Sequence, residues 1–189
     1  MAKFFGNLHL VLAAGLVLAL IVIFAVPANT IAEQAILRWL HLFFGVVWIG
    51  LLYYFNFVQI PTMPKVPAEL KPAVSKYIAP SALFWFRWSA LVTVLLGAAL
   101  AAHKGYLVEA LTLQPGVRLI GIGMWLGLIM AANVWFVIWP NQKRALGLVE
   151  ADDATKARSG RVAMLASRTN LVLSLPMLYA MATYQSLPA

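Results

Sequence analysis

The residues in this chain best suited to chemistry are three histidines and two arginines, because it has no cysteine and only six acidic side chains in 189 residues. Imidazole is a good ligand for haem iron or copper. His41 and His103 fall at the same end of two neighbouring apolar runs, so they are the candidate pair for one b-type haem or one copper ion. His9 falls at the opposite end and cannot join them. Gly45 and Trp48 follow His41 at i+4 and i+7, a small residue and then a large aromatic. That spacing leaves room for a flat macrocycle, and it equally suits close helix packing.

Arg87 and Arg168 lie inside apolar runs, about six or seven residues from one end, so ~10 Å deep at 1.5 Å per residue. Ionisable groups at such depth are costly and are functional candidates for that reason. No Asp or Glu lies within any of the runs, so each guanidinium must find carbonyls, aromatic faces, lipid phosphates or an anionic ligand. Arg87 sits in Phe84-Trp85-Phe86-Arg87-Trp88, where cation–π contact and snorkelling are both open to it. Asn56, Asn133 and Asn170 fall at the same level. The five residues together form a candidate polar pocket for an anion, a quinone headgroup or a lipid. The competing expectation is interhelical hydrogen bonding, a common glue between membrane helices. No catalytic residue can be assigned.

The elements that must carry these groups are read from composition. The chain is 63% hydrophobic and 11% charged, against about half and a quarter in a soluble domain. The absence of cysteine excludes a disulfide framework, a thiolate zinc site, an iron–sulfur cluster and covalent c-type haem within these residues. Five apolar runs, about 8–26, 36–58, 81–102, 117–139 and 162–184, reach the ~20 residues needed to cross a bilayer as helix. None alternates polar with apolar as a barrel strand does. The expectation is a single all-α membrane domain of five transmembrane helices. The first run is longer than a secretory h-region and has no convincing cleavage site, so it reads as a retained helix.

The net charge of +8 is better read as orienting the chain in a membrane than as binding nucleic acid. Lys3, Lys65, Lys71, Lys76, Lys143, Arg144, Lys156, Arg158 and Arg161 fall on one side, and only Arg38, Lys104 and Arg118 on the other. The amino terminus is therefore expected in the cytoplasm and the carboxyl terminus outside. Residues 59–80 hold five prolines, too many for an expected continuous helix. They read as an interfacial segment with a short helix over 66–77. Residues 141–161 read as a solvated hairpin or short helix. Gly123, Gly127 and Ala131 make a small-residue stripe for packing within the chain or against another subunit. Pro176 should bend the fifth helix.

Several stretches carry a resemblance. Trp39-Leu40-His41, the run from Trp48 to Gln59, Trp85-Phe86-Arg87-Trp88, Asn133-Val134-Trp135, Ile138-Trp139-Pro140-Asn141-Gln142-Lys143, Ser167-Arg168-Thr169-Asn170 and Ser174-Leu175-Pro176 occur in order between about residues 36 and 180. Together they resemble the membrane-embedded N-terminal domain of the bacterial membrane-bound urate oxidase (urate hydroxylase) family. The opening of the second run resembles, more distantly, haem-binding membrane proteins of the protoporphyrinogen oxidase type, in which a helix-borne histidine holds b-type haem. The resemblance implies a multi-pass subunit of the bacterial inner membrane with a role in electron transport. Full-length members of the family carry a C-terminal cytochrome c domain as electron acceptor. No Cys-x-x-Cys-His occurs here, so that acceptor is expected on a separate protein or within a larger membrane complex. A non-catalytic accessory subunit is the alternative expectation.

Overall fold

The computed structural model describes residues 2–25, 32–184 and 186. Five helices in it are long and apolar enough to cross a membrane: α1 (Leu8–Ala25), α2 (Glu33–Lys65), α3 (Lys71–His103), α4 (Arg118–Ala145) and α5 (Asp153–Tyr184). Among the described residues there is no strand. Helices are what an apolar solvent demands, since each satisfies its own backbone polar groups without water. α2 to α5 enclose the core, in which Trp48, Leu52, Phe86 and Met130 are almost fully buried. α1 buries none of its residues and is apolar all round.

The helices run beyond the apolar stretches, most of all through the proline-rich segment. Of residues 59–80, which hold the five prolines, 59–65 and 71–80 are helical and the break falls at 66–70, so the short helix expected over 66–77 is replaced by the first turns of α3. α2 continues through Pro61 and Pro64 to Lys65, and α3 begins at Lys71 with Pro72 in its first turn. Proline is tolerated there because its missing N–H would have had no helical partner. Deeper in a helix its ring collides with the carbonyl four residues back. Three π-helical turns relieve that collision: Tyr54–Gln59, Val74–Ile78 and Val134–Ile138. Each ends two residues before a proline, Pro61, Pro80 and Pro140 respectively. Each closes with a bond to the fifth carbonyl back, Ile60 to Phe55, Ala79 to Val74 and Trp139 to Val134. Composition counts prolines; it does not show that a widened turn can absorb them.

The helix ends are closed locally. After α3 and α4 the chain turns through Gly105 (φ 78°) and Gly147 (φ 71°), a left-handed conformation suited to glycine. Both ends carry the paired backbone bonds of a Schellman motif: Tyr106 to Ala101 and Gly105 to Ala102, then Leu148 to Lys143 and Gly147 to Arg144. Asp152 caps α5, its carboxylate accepting from the Thr155 N–H at 2.7 Å and the Thr155 hydroxyl at 3.1 Å. The small-residue stripe packs within the chain, since a Cβ on Gly123 would lie 3.1 Å from that of Ala180 on α5. A short helix, Leu107–Leu111, lies so close to Gly121 of α4 that a Cβ there would collide with the Ala110 carbonyl.

Candidate functional site

The three asparagines form a polar layer around α5 made of two separate contacts, Asn133 with Asn170 joining α4 to α5 and Asn56 with Ser167 joining α2 to α5. Asn170 of α5 is fully buried. Its Nδ2 donates to the Met130 carbonyl of α4 at 3.0 Å, and its Oδ1 accepts from Asn133 Nδ2 at 2.7 Å. Asn133 also donates to the Ala166 carbonyl at 2.9 Å. Asn56, inside the π-helical turn of α2, donates to the Leu52 carbonyl at 2.8 Å and to Ser167 Oγ on α5 at 2.9 Å. One turn further along α5, Ser174 Oγ lies 3.2 Å from the Tyr53 hydroxyl and donates its own proton to the Leu171 carbonyl. A hydroxyl has one proton, so Tyr53 must be the donor of that pair.

The two arginines do not join this layer. Arg168 follows buried Ser167 on α5 and is itself exposed, since the next residue on a helix points about 100° away. The Arg87 guanidinium lies over the Trp139 ring at 3.9 Å and the Phe84 ring at 5.4 Å. Lys143 Nζ lies 5.7 Å from the centroid of the same Trp139 ring. Trp135 Nε1 donates to the Arg87 carbonyl at 3.1 Å, so aromatic groups of α4 hold this stretch of α3. The five residues expected in one pocket are thus an asparagine layer, an aromatic-clamped cation and an outward-facing cation.

His41 is held between α2 and α3. Its Nδ1 lies 2.9 Å from the Thr93 carbonyl, which can only accept, so Nδ1 carries the proton and Nε2 keeps its lone pair. The imidazole rests on Gly97, where a Cβ would fall 2.8 Å from the ring. Gly45 and Trp48 both serve helix packing, the second of the two uses their spacing allows. A methyl at Gly45 would touch Thr93 at 3.7 Å, and Trp48 is in the core. His103 closes α3 six residues beyond Gly97, so about 9 Å further along the helix. There its Nε2 lies 3.7 Å from a Glu33 carboxylate oxygen. The structure does not place the two histidines at one level. His9 is exposed at the start of α1. Among the described residues no cluster of three or more His, Asp or Glu side chains could hold a metal ion.

Just beyond His103, at the end of α3, the chain is partly buried and cationic. Burial holds the Lys104 ammonium below the usual lysine range, with Arg38 adding to the effect. Burial likewise raises the Tyr106 hydroxyl, whose ring packs edge-on to Tyr184 at 5.9 Å.

A cavity of about 100 Å³ lies on the axis of α2 to α5, towards the Lys65 and Lys71 end. Gln59, Gln142 and Ser167 supply its polar groups, and Phe55, Phe86 and Ile138 are among its apolar walls. None of the five expected pocket residues lines it. Gln59 and Gln142 lie within stretches that carry the resemblance, but neither carries a charge and neither is among the expected site residues. The available signal is the π-helical turns, since Gln59 and Ile138 each end one, and such turns recur at functional sites.

No curated protein and no solved structure matches the chain. Residues 113–185 match the family model described as urate oxidase N-terminal. The matched stretch holds α4, α5, Asn133, Asn170 and Arg168, while His41, Asn56, Arg87 and His103 precede it. Over its last two long helices, then, the chain is similar to the urate oxidase N-terminal family.

Proposed function

We propose that the chain is an integral membrane subunit of the urate oxidase N-terminal type, a redox component that works with a separate cytochrome or a larger membrane complex. It crosses a bacterial inner membrane five times, with the amino terminus cytoplasmic and the carboxyl terminus external. Five helices of spanning length, the cation bias of the loops and the family match over α4 and α5 support this reading. Its partners are lipid and other membrane subunits or a separate cytochrome c, not nucleic acid.

The observation that carries the redox reading is His41. A histidine whose Nδ1 is tied to a backbone carbonyl has its tautomer and ring orientation set for ligation through Nε2. The donor chemistry therefore fits b-type haem iron, with His41 as its ligand; His103, expected as the second, lies further along α3 with its Nε2 3.7 Å from a Glu33 carboxylate oxygen. When bound, haem would supply one-electron transfer. Thr93 orients the imidazole and Gly97 gives it the space to lie against α3. The test is an absorption spectrum of the detergent-purified chain, repeated on His41→Ala. A Soret band in the parent that is lost in the variant is the expected result, and a parent without one overturns haem binding.

The alternative, a non-catalytic accessory subunit, is supported by the asparagine layer, whose amide nitrogens all serve helix-to-helix bonds. It expects a colourless protein that purifies only with its partner subunits.

A further inference from the structure

The geometry points to the axial cavity as a binding site for a small, neutral, single-ring molecule that donates an N–H or O–H hydrogen bond. This site is separate from His41 and does not depend on haem. Sites in helix bundles are commonly built from side chains of facing helices, apolar on the walls with a few placed polar groups. Here all four core helices contribute: Gln59 from α2, Phe86 from α3, Gln142 from α4 and Ser167 from α5.

The polarity of the lining selects the ligand. Gln59 Oε1 is buried and has no hydrogen-bond partner among the described residues. A buried acceptor left without a partner is unfavourable, and a donor on a ligand removes that cost. No Asp, Glu, Lys, Arg or His lines the cavity, so an ion entering it would lose hydration without a countercharge. The walls are aromatic and aliphatic and the space is about 100 Å³, which suits one ring rather than a fused or chain-bearing molecule.

The site belongs to the way the backbone is built. The π-helical turn Tyr54–Gln59 carries Phe55 and Gln59 into the lining, and the turn Val134–Ile138 carries Ile138. Pro61 and Pro140 follow these turns by two residues, so the widened backbone that accommodates the prolines also shapes the walls of the cavity.

The experiment is fluorine NMR of the full chain in detergent micelles, titrated with 4-fluorophenol, which is neutral and donates. 4-Fluoroanisole, which only accepts, and 4-fluorobenzoate, which is charged, are the comparison probes. The parent is expected to give a saturable shift with 4-fluorophenol, at least about tenfold weaker binding of fluoroanisole, and none of benzoate. Gln59→Met, which keeps the volume and removes the unpartnered oxygen, should weaken 4-fluorophenol about tenfold without lowering the melting temperature. Ala163→Leu, which fills the cavity, should abolish the shift. The proposal is overturned if the parent shows no saturable shift, if fluoroanisole binds as well as fluorophenol, or if Gln59→Met binds like the parent.

Discussion

The asparagine layer and the His41 contact are both polar, both within helices of spanning length and both between helices, yet they are finished differently. In the layer, Asn133 and Asn170 complete one another across α4 and α5, and each amide nitrogen ends on a protein acceptor. At His41 one ring nitrogen is bonded and the other is left with its lone pair. The Asn133–Asn170 pair holds two helices together; an open valence on an oriented ring is what a ligand needs. Residue type alone would rank Asn170 and His41 as similar candidates, and only the partner lists separate them.

Breaking the layer should have the largest effect. Asn170→Leu removes two interhelical bonds and leaves the Asn133 amide with one fewer acceptor in the core, so it should destabilise the micelle-bound fold by about 1–3 kcal/mol. Unfolding by SDS titration reads this directly. A double-mutant cycle with Asn133→Leu should give a coupling of about 0.6–1.7 kcal/mol, the range found for interhelical bonds in membrane proteins. Zero coupling would mean that the two asparagines do not act as one layer, and the contrast with His41 would fail.

Gly97→Ala should come next. Its methyl would occupy the position of the His41 ring, so the imidazole must move and its bond to Thr93 must stretch or break. Overpacking of this kind costs about 1–3 kcal/mol. The variant sharpens the comparison because it leaves His41 present while misplacing it. If haem is bound, the Soret band should weaken or shift as well as the stability fall. Unchanged stability would show that the α2–α3 contact is looser than the glycine implies.

The smallest effect concerns the cap of α5, outside the layer. Hydrogen bonds from Thr155 hold the Asp152 carboxyl below its usual range. Its stabilising contribution is therefore complete above the unfolded carboxylate value of about 4. It fades as pH falls through the lower folded value, because protonation removes the acceptor charge. Asp152→Asn should flatten that acid limb of the stability profile and leave the asparagine layer intact. An acid limb of unchanged slope would show that another carboxylate controls it.

Much of the fold was legible in the chain because bilayer thickness converts directly into a count of apolar residues, and that count finds α1 to α5. The helix ends were less legible. Pro61, Pro72 and Pro80 read as breaks, whereas a first-turn position and two π-helical turns let the helices run through them. Cation–π contact was one of several options the sequence left open for Arg87, since Phe84 is close in the chain, but its nearer partner Trp139 comes from another helix. Gln59 and Gln142 lie in the stretches that carry the resemblance but are not among the expected site residues, because an uncharged amide stands out only once its surroundings in the fold are known.

The sequence alone determined that the polypeptide forms helices of bilayer length with its cations gathered mainly at one end, because hydrophobicity and charge are properties of single residues summed along a segment. The tertiary structure decided which polar groups close on one another, which stay open and where a cavity remains. Those outcomes depend on the rotation and spacing of four helices, and contacts between residues a hundred positions apart are not encoded in any local run.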